Sequence, residues 1–156
     1  MSVEGIKESV CRYFNGLAGM GVQFIKSPTN APAPVGKYIA VGVDDVSQYG
    51  SRMTPGPGND SFRFSQVAVL HFVEVEGDGE TLRNVKNEIQ LPRFAEYART
   101  NGFTLWEWTD IEKIDTYDGE FYVRQWRFTC TVNFTDETVA DLPRIETVDP
   151  LEIEST

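Results

Sequence analysis

The chain has 156 residues, of which 40% are hydrophobic and 12% aromatic, and a formal net charge of −10. This length fits one domain of ordinary size, and the composition is that of a folded globular protein rather than a disordered one. Seven acids in residues 136–156 stand against Arg144 alone, which leaves a charge of only −4 on the other 135 residues. The acidity therefore belongs mostly to the C-terminal segment, and it argues against a nucleic-acid-binding outer surface.

The sequence disfavours both a membrane-spanning protein and a secreted one. No apolar run reaches the roughly 18 residues that a membrane-spanning helix needs, and the N-terminal segment MSVEGIKESVCRYF carries acids, unlike a secretory signal. Cys11 and Cys130 lie far apart without metal-binding spacing, so we expect buried free thiols in a reducing compartment. These features predict a protein made in the cytoplasm, with no membrane anchor.

The periodicity of apolar residues predicts the elements in chain order, because steps of three and four indicate helices and alternation indicates strands. The predicted elements are a helix over 2–18 with Ser2 as N-cap, strands over 22–26, 37–43 and 62–75, a second helix over 80–102 with Asp78 as N-cap and a kink or break at Pro92, and a hairpin of strands 103–114 and 121–134. This order predicts an α+β domain over 1–136, in which two helices cover one face of a mainly antiparallel sheet. Residues 137–156 should form an extended acidic tail.

The predicted strand over 62–75 is apolar on both faces in its middle, around residues 66–73. Such a strand is usually central in its sheet, or covered on its second face by a helix or by another subunit. The last strand differs, because Trp126, Phe128 and Cys130 alternate there with polar residues. That alternation predicts a strand with one buried and one polar face.

Two connections are too long and too rich in Pro or Gly for ordinary turns. They are residues 27–36, which contain three prolines, and residues 44–61. Long connections in a compact domain are usually functional, so we expect both to reach across to another protein. Deletion of residues 52–59 should leave the monomer folded and weaken assembly.

The doubled acid at Asp44 and Asp45 suggests a metal site at first, but neighbours on a strand point to opposite faces. The segment that follows lacks the acid spacing of a calcium loop and the GxxxxGK[ST] spacing of a phosphate loop. Pro55 and Pro57 also remove backbone donors that a phosphate would need. We therefore expect no metal, no cofactor and no catalytic residue.

Other chemically notable residues are also better explained by packing or by contacts between subunits. His71 is the only histidine, and it lies in an apolar strand without a nucleophile signature. Trp106 and Trp108 share a face of their strand; stacking on bases or sugars is one use, and packing against the second helix or a neighbouring subunit is favoured. Arg124 and Arg127 fall on opposite faces of the last strand and suit salt bridges between subunits.

In the order of these segments, the chain resembles the tail terminator and neck (tail-completion) proteins of long-tailed bacteriophages. The likeness covers about residues 2–136. The segments that carry it are the amphipathic helix, the short strand and Pro-rich excursion, the strand and loop YIAVGVDDVSQYGS (38–51), the long strand, the second helix and the final alternation VRQWRFTCTVNFTDET (123–138).

The resemblance implies a small non-enzymatic subunit that forms a ring, hexameric in such proteins, at the end of the tail tube. The implied partners are copies of itself, the tail tube protein and the head-completion or neck proteins, with DNA only as cargo in the lumen. The implied location is the tail–neck region of the virion. The candidate subunit-interface residues are Asp44, Asp45, Gln48, Tyr49, Arg52, Met53, His71, Arg124 and Arg127.

Three alternatives stay open at this point. One is another phage neck, head-closure or minor tail protein. A second is a small α+β enzyme or ligand-binding domain whose pocket is lined by His71, Trp106, Trp108 and Tyr122. A third is an adaptor that is monomeric until it meets its partner. A mass measurement in solution separates them, because a ring predicts about six subunits and a binding domain predicts a monomer.

Overall fold

The residues that the structure describes form three helices and eight strands, which include the segments predicted from periodicity. The computed structural model describes residues 1–28, 34–55, 61–117, 119 and 122–139; at 49–55, 61, 116, 138 and 139 it describes the backbone alone. The elements are α1 (Val3–Asn15), β1 (Gln23–Lys26), β2 (Tyr38–Pro55), β3 (Ser61–Val75), α2 (Glu80–Ile89), α3 (Pro92–Thr100), β4 (Phe103–Trp106), β5 (Glu112–Lys113), β6 (Thr116–Tyr117), β7 (Tyr122–Val123) and β8 (Gln125–Val139).

The main sheet has the strand order β1-β2-β3-β8-β4, and β5 pairs with β8 further along its edge. The β1–β2 pair is parallel, and the other pairs of this sheet are antiparallel. Strands β6 and β7 form a separate two-stranded sheet. The predicted α+β class with a mainly antiparallel sheet is confirmed.

The core lies between the helices and one face of this sheet. It combines apolar residues of the three helices with the even-numbered residues in 68–72 of β3 and in 128–134 of β8. Phe72 and Phe128 stack with ring centroids 4.9 Å apart, and Phe14 of α1 meets Phe72 edge-on at 6.3 Å. The parity of the last strand, predicted from its alternation, is thus confirmed from Trp126 to Phe134.

Helix α1 begins as its sequence predicts, because the Ser2 hydroxyl accepts a hydrogen bond from the Gly5 N–H at 3.0 Å. The predicted second helix is divided at Pro92, which starts α3. Leu91 takes the extended conformation that a residue before proline prefers, with φ −78° and ψ 147°. The sequence-based expectation of a kink or break is therefore confirmed as a break.

One carboxylate holds the three helices together. Glu88 of α2 accepts the Tyr13 hydroxyl of α1 at 2.7 Å and the Arg93 Nε of α3 at 2.7 Å, and Arg93 Nη2 contacts its other oxygen. The hydrogen bond from Arg93 lowers the pKa of Glu88. Burial, together with the bond to Glu88, raises the pKa of Tyr13 to about 12. This polar contact fixes the break between α2 and α3 against α1.

Both cysteines are buried free thiols, as predicted from the sequence. Burial raises the pKa of the Cys11 thiol to about 11 and that of Cys130 to about 12. The thiolate, which is the reactive form, is therefore suppressed at neutral pH. The two residues serve as small apolar groups in the core.

The N-cap predicted for α2 is wrong. The N-cap residue is Gly79, which has no side chain to cap the helix, and Asp78, one residue earlier, accepts the Glu80 N–H at 3.0 Å. The cap comes instead from Glu74 of β3, which is fully buried and accepts the N–H groups of Gly79 and Leu82. Lys37 approaches the same carboxylate at 3.8 Å. A charged group in the core is thus satisfied by the exposed donors of a helix N-terminus.

The long loop predicted over residues 44–61 is also wrong. Strand β2 continues through this segment to Pro55 and stays paired with β3, with Met53 opposite Phe64 and Pro55 opposite Phe62. Register shifts between Asp44 and Ser47 and between Gln48 and Met53 place four extra residues on β2. Bulges of this kind let irregular residues stay within a ladder. Residues 56–60 and 29–33, the centres of the two predicted connections, lie outside the described residues.

The final predicted hairpin is confirmed in outline and corrected in detail. Residues 103–114 do run beside β8, but a left-handed residue, Glu107 with φ 53°, divides them. The chain stays on β8 because the Thr109 N–H donates to Thr129 at 2.9 Å and the Ile114 N–H to Gln125 at 2.8 Å. The return strand β8 extends to Val139, and residues 140–156 lie outside the described part, so the acidic tail stays a prediction.

Candidate subunit interface

The second face of the main sheet carries no helix in the part of the chain that the structure describes. We call it the helix-free face; it consists of the odd-numbered residues of β3 and β8 and their partners on β2 and β4. Val67, Val69 and Val73, which we call the valine stripe, lie along the middle of this face on β3 and are only half-buried. The sequence predicted a strand that is central in its sheet or covered on its second face; β3 is central, and the helices cover only its other face.

His71 lies in the middle of the valine stripe and pairs with Asp44. Its Nε2 is 2.8 Å from the Asp44 carboxylate, and its side chain is 20% exposed. Gly42 stands directly opposite His71 in the ladder, and a Cβ on Gly42 would fall within the imidazole ring. The absence of a side chain at Gly42 therefore leaves room for the ring, which reaches the carboxylate two residues further along β2.

The rest of the helix-free face is polar. Arg127 lies beside Val73 and forms an exposed ion pair with Glu112, at 3.6 Å. The Trp106 indole N–H donates to Asn133 at 3.0 Å. Next to the valine stripe, therefore, the face offers a cation, an acid and an aromatic ring, which is the mixture common in protein–protein interfaces.

Strands β2, β3 and β8 continue past the body of the domain and form a projection that we call the arm. The name covers its β2 and β3 residues, 48–55 and 61–66, of which the six β3 residues span about 20 Å, and not the β8 residues 135–139 along its edge. Phe62 and Phe64 lie on one side of the arm, half-buried, and neither belongs to the core. The arm replaces the loop that the sequence suggested.

The two aspartates are separated more completely than strand alternation predicts. Asp44 is in the ladder opposite Val69, whereas Asp45 sits in the bulge with φ 54°, a left-handed conformation that aspartate tolerates. No cluster of three or more metal-ligating side chains exists among the described residues.

The predicted interface residues fall into three groups. Asp44 and His71 are brought together, and Arg127 lies on the same face. Asp45 is in the bulge, and Gln48 begins the arm. The backbone of Tyr49, Arg52 and Met53 belongs to the arm, and their side chains are outside the described part. The last predicted residue, Arg124, lies between β7 and β8, and its backbone carbonyl accepts the Glu76 N–H at 2.9 Å.

The aromatic pocket considered from the sequence is not formed. Tyr122 lies in the separate two-stranded sheet, 74% exposed, with its ring 5.0 Å from that of Tyr117. Trp106 is on β4, and β8 separates it from His71 on β3. Packing of Trp106 against the second helix is likewise wrong, because the helices lie on the other face of the sheet.

Sequence reasoning missed two polar residues that make long-range hydrogen bonds in the fold, although neither lies on the helix-free face. The role of Glu74 could have been found from the sequence, because it is an acid at a core-facing position of an apolar strand, just before a Gly-Asp-Gly turn. Asn15 gave no such signal: its amide bonds both the N–H and the C=O of Phe24, at 2.9 and 3.0 Å. Both residues act across the fold, where local patterns carry little information.

The whole chain can now be compared with known families. It matches the model of the phage neck terminator protein family over residues 5–156. The chain belongs to this family. The match confirms the resemblance drawn from the order of segments, and it extends through the acidic C-terminal residues. None of the curated proteins matches the chain.

As a neck terminator protein the chain is a structural component of the phage neck, and so of the virion. Among its described residues there is no helix of the length and hydropathy needed to cross a membrane. The helix-free face and the arm therefore have to be explained as surfaces of a phage neck protein.

Proposed function

We propose that this neck terminator protein assembles into a closed ring, of six copies, that caps the tail tube and joins it to the head-completion proteins. The ring acts by contact and catalyses no reaction. DNA passes through its central opening as cargo. The protein is made in the cytoplasm of the infected host and incorporated into the particle.

The observation that carries this proposal is the half-buried valine stripe on the helix-free face. Val67, Val69 and Val73 follow one strand, with His71 between Val69 and Val73, at the centre of a sheet whose other face is packed against the helices. Exposed contiguous apolar surface on a small domain marks a site of association. In a ring, this face is covered by the neighbouring subunit.

The arm supports the same proposal because it is a second surface, distinct from the first. Its half-buried Phe62 and Phe64 lie away from the core, and its β2 strand carries Gln48, Tyr49, Arg52 and Met53. A contact between two different patches is head-to-tail, and such contacts close into rings when the rotation permits. We therefore assign the arm to one side of the subunit contact and the helix-free face to the other.

The experiment compares two lysine substitutions by native mass spectrometry, alone and with tail tube protein added. Val69→Lys places a charge in the valine stripe, and Ala95→Lys adds the same charge at an exposed position of α3. We expect the wild-type chain and A95K to give a complex of about six times the 17.6 kDa of one chain. V69K should remain monomeric.

Far-UV circular dichroism verifies that both variants are folded. A folded V69K that still forms the complete ring would remove the helix-free face from the contact. A wild-type chain that stays monomeric at high concentration, even with tube protein, would contradict the ring itself and favour an adaptor.

A further inference from the structure

The open edges of the main sheet differ in whether they can accept another strand. An edge strand exposes unpaired N–H and C=O groups, and proteins usually block such edges with bulges, charges or covering side chains. Among the described residues, the backbone of three edges is covered or interrupted, and the fourth edge, which we call unblocked, has a regular backbone and carries charges alone.

The first blocked edge is the outer side of β1. There the Asn15 amide occupies both backbone groups of Phe24. The second is β2 beyond its pairing with β1, where two register shifts and the left-handed Asp45 break the regular spacing. The third is the β4–β5 edge, which is interrupted at Glu107. Each block removes the even spacing of donors and acceptors that an incoming strand requires.

The unblocked edge is residues Thr135–Val139 of β8. Its register with β3 is continuous from Val75 opposite Gln125 to Ser61 opposite Val139, with no bulge. Strand β4 pairs with β8 only up to Phe134. In the described part of the chain no strand lies beside the last five residues, and only the Met1 amine approaches, at 3.2 Å from the Thr135 carbonyl.

The hydrogen bonds of β8 show which of its backbone groups point outward. Gln125 and Thr129 accept from Ile114 and Thr109 on the outer side, and Thr135 accepts from Met1 on that side too. Backbone groups alternate in direction along an antiparallel strand, so the odd-numbered residues face outward. The N–H and C=O of Glu137, and the N–H of Val139, are therefore directed away from β3.

We propose that Thr135–Val139 is an acceptor site for an extended segment of a different virion protein, which adds to β8 as a strand and carries a lysine or arginine beside Asp136. The proposal rests on the family membership for its setting in the neck, and it does not require the ring. Main-chain bonding to Glu137 and Val139 supplies affinity, and side chains at alternate positions supply selectivity.

The acidic residues of the Thr135–Val139 edge indicate which kind of segment binds there. Asp136 lies on the helix side opposite Phe64, so its β3 partner brings no cation to it. Glu137 lies opposite Arg63 on the other face. An incoming strand places its own residue directly beside Asp136, and opposite charges across such a pair are favourable.

A second copy of this chain fits the edge poorly. Two β8 edges paired antiparallel about their centre would set Glu137 against its own counterpart, and like charges directly opposite destabilise a sheet. The segments of the chain outside the described residues are Pro-containing at 29–33 and 56–60, and acidic with two prolines at 140–156. Prolines and acids are both unsuited to this edge.

The test uses Glu137→Pro and Glu137→Thr. Proline removes the outward N–H without touching the bonds to β3, because Glu137 does not donate to β3; threonine removes the same charge and keeps the N–H. The probe is a set of overlapping 15-residue peptides that cover the other virion proteins of the same phage. We expect wild type and E137T to bind a basic peptide and E137P to lose at least tenfold in affinity. Asp136→Lys should lose a comparable factor through like-charge repulsion.

Amide hydrogen exchange supplies the second measurement, with purified particles compared against isolated protein. The amides of Glu137 and Val139 should exchange freely in isolation and be protected in the particle. Protection already present in an isolated ring would make a second copy the occupant and overturn the proposal. So would equal peptide binding by E137P and E137T, or binding of no peptide at all. The mass of the E137P assembly reports separately on the ring, which should be unchanged.

Discussion

Successive residues of strands β3 and β8 point to opposite faces of the sheet, and the two faces differ in how deeply their side chains are buried. On the helix side, Leu70, Phe72 and Phe128 are almost completely removed from solvent, and even the charged Glu74 is fully buried and hydrogen-bonded. On the helix-free face, Val69 and its neighbours are half-buried, and the His71–Asp44 pair remains partly in water.

This difference indicates a division of roles. Side chains on the helix side hold the monomer together, and we propose that those on the helix-free face contact a neighbouring subunit. Truncation of side chains on the first face should therefore lower the free energy of unfolding, whereas truncation on the second should leave it nearly unchanged and alter association. The predictions below test that division, from the largest expected loss of stability to the smallest.

The largest effect is expected for Phe72→Ala. Phe72 is fully buried and stacks on Phe128, so its truncation should lower the free energy of unfolding by about 3–5 kcal/mol. The measurement is urea unfolding of the monomer. Val69→Ala, on the opposite face of the same strand, is the control and should cost far less. Equal losses for the two variants would abolish the distinction between the faces.

The next largest effect is expected for Glu74→Gln. The amide keeps the volume but presents its NH₂ group to the N–H of Gly79 or Leu82, which leaves a buried donor unpaired. We expect a loss of about 1–3 kcal/mol in urea unfolding. Glu80→Gln, an exposed acid in the first turn of α2, is the matched control. An unchanged E74Q would mean that the cap adds nothing to stability.

On the helix-free face, Gly42→Ala is expected to be the most costly single change for stability. Its Cβ would occupy the space of the His71 ring, and overpacking of this kind costs about 1–3 kcal/mol. Because the ring can be removed, H71A should restore most of the loss in the double variant. If G42A is as unstable in the H71A background, the contact between the glycine and the ring is not the cause.

Acidification should affect the helix side through Glu88. Its pKa is lowered in the folded state, mainly by Arg93, from an ordinary value of 4.5. The stability that it contributes is therefore complete above that value and is lost as the pH falls below it. Between about pH 5 and pH 3, Glu88→Gln should show a shallower loss of stability than wild type. Glu96→Gln, exposed on α3, should follow the wild-type profile.

The smallest loss of monomer stability is expected for deletion of residues 52–59, although this change removes the tip of the arm. Only the pairs of Met53, Thr54 and Pro55 with β3 are lost from the described ladder. Far-UV circular dichroism and urea unfolding should change little, and ring assembly should weaken. A variant that fails to fold, while its folded fraction assembles normally, would contradict the assignment of the arm to the interface.

The sequence predicted those features that depend on neighbouring residues. The Ser2 cap, the break at Pro92 and the inward-facing residues from Trp126 to Phe134 all follow from spacing or from proline geometry. The central position of β3 was one of the two alternatives predicted, because Val69 and Leu70 give apolar character to both faces of one strand.

The failures concern pairing between distant segments. Residues 44–55 contain a Gly and a Pro and do not alternate, yet β3 holds them in a ladder by admitting bulges. Glu74 caps a helix through the fold rather than through local sequence, and Asp78 looked better placed to do so. The division of the strand over 103–114 at Glu107 depends on a left-handed residue that the sequence does not reveal.

The central claim is that the helix-free face is covered by a neighbouring subunit in the assembled neck. The most direct measurement is a cryo-electron microscopy map of the neck in intact particles, at a resolution that shows side chains. The account predicts a ring in which Val69 and His71 lie in contact with the arm of the next subunit. A map in which the valine stripe faces open solvent and the subunits meet through their helices would contradict it.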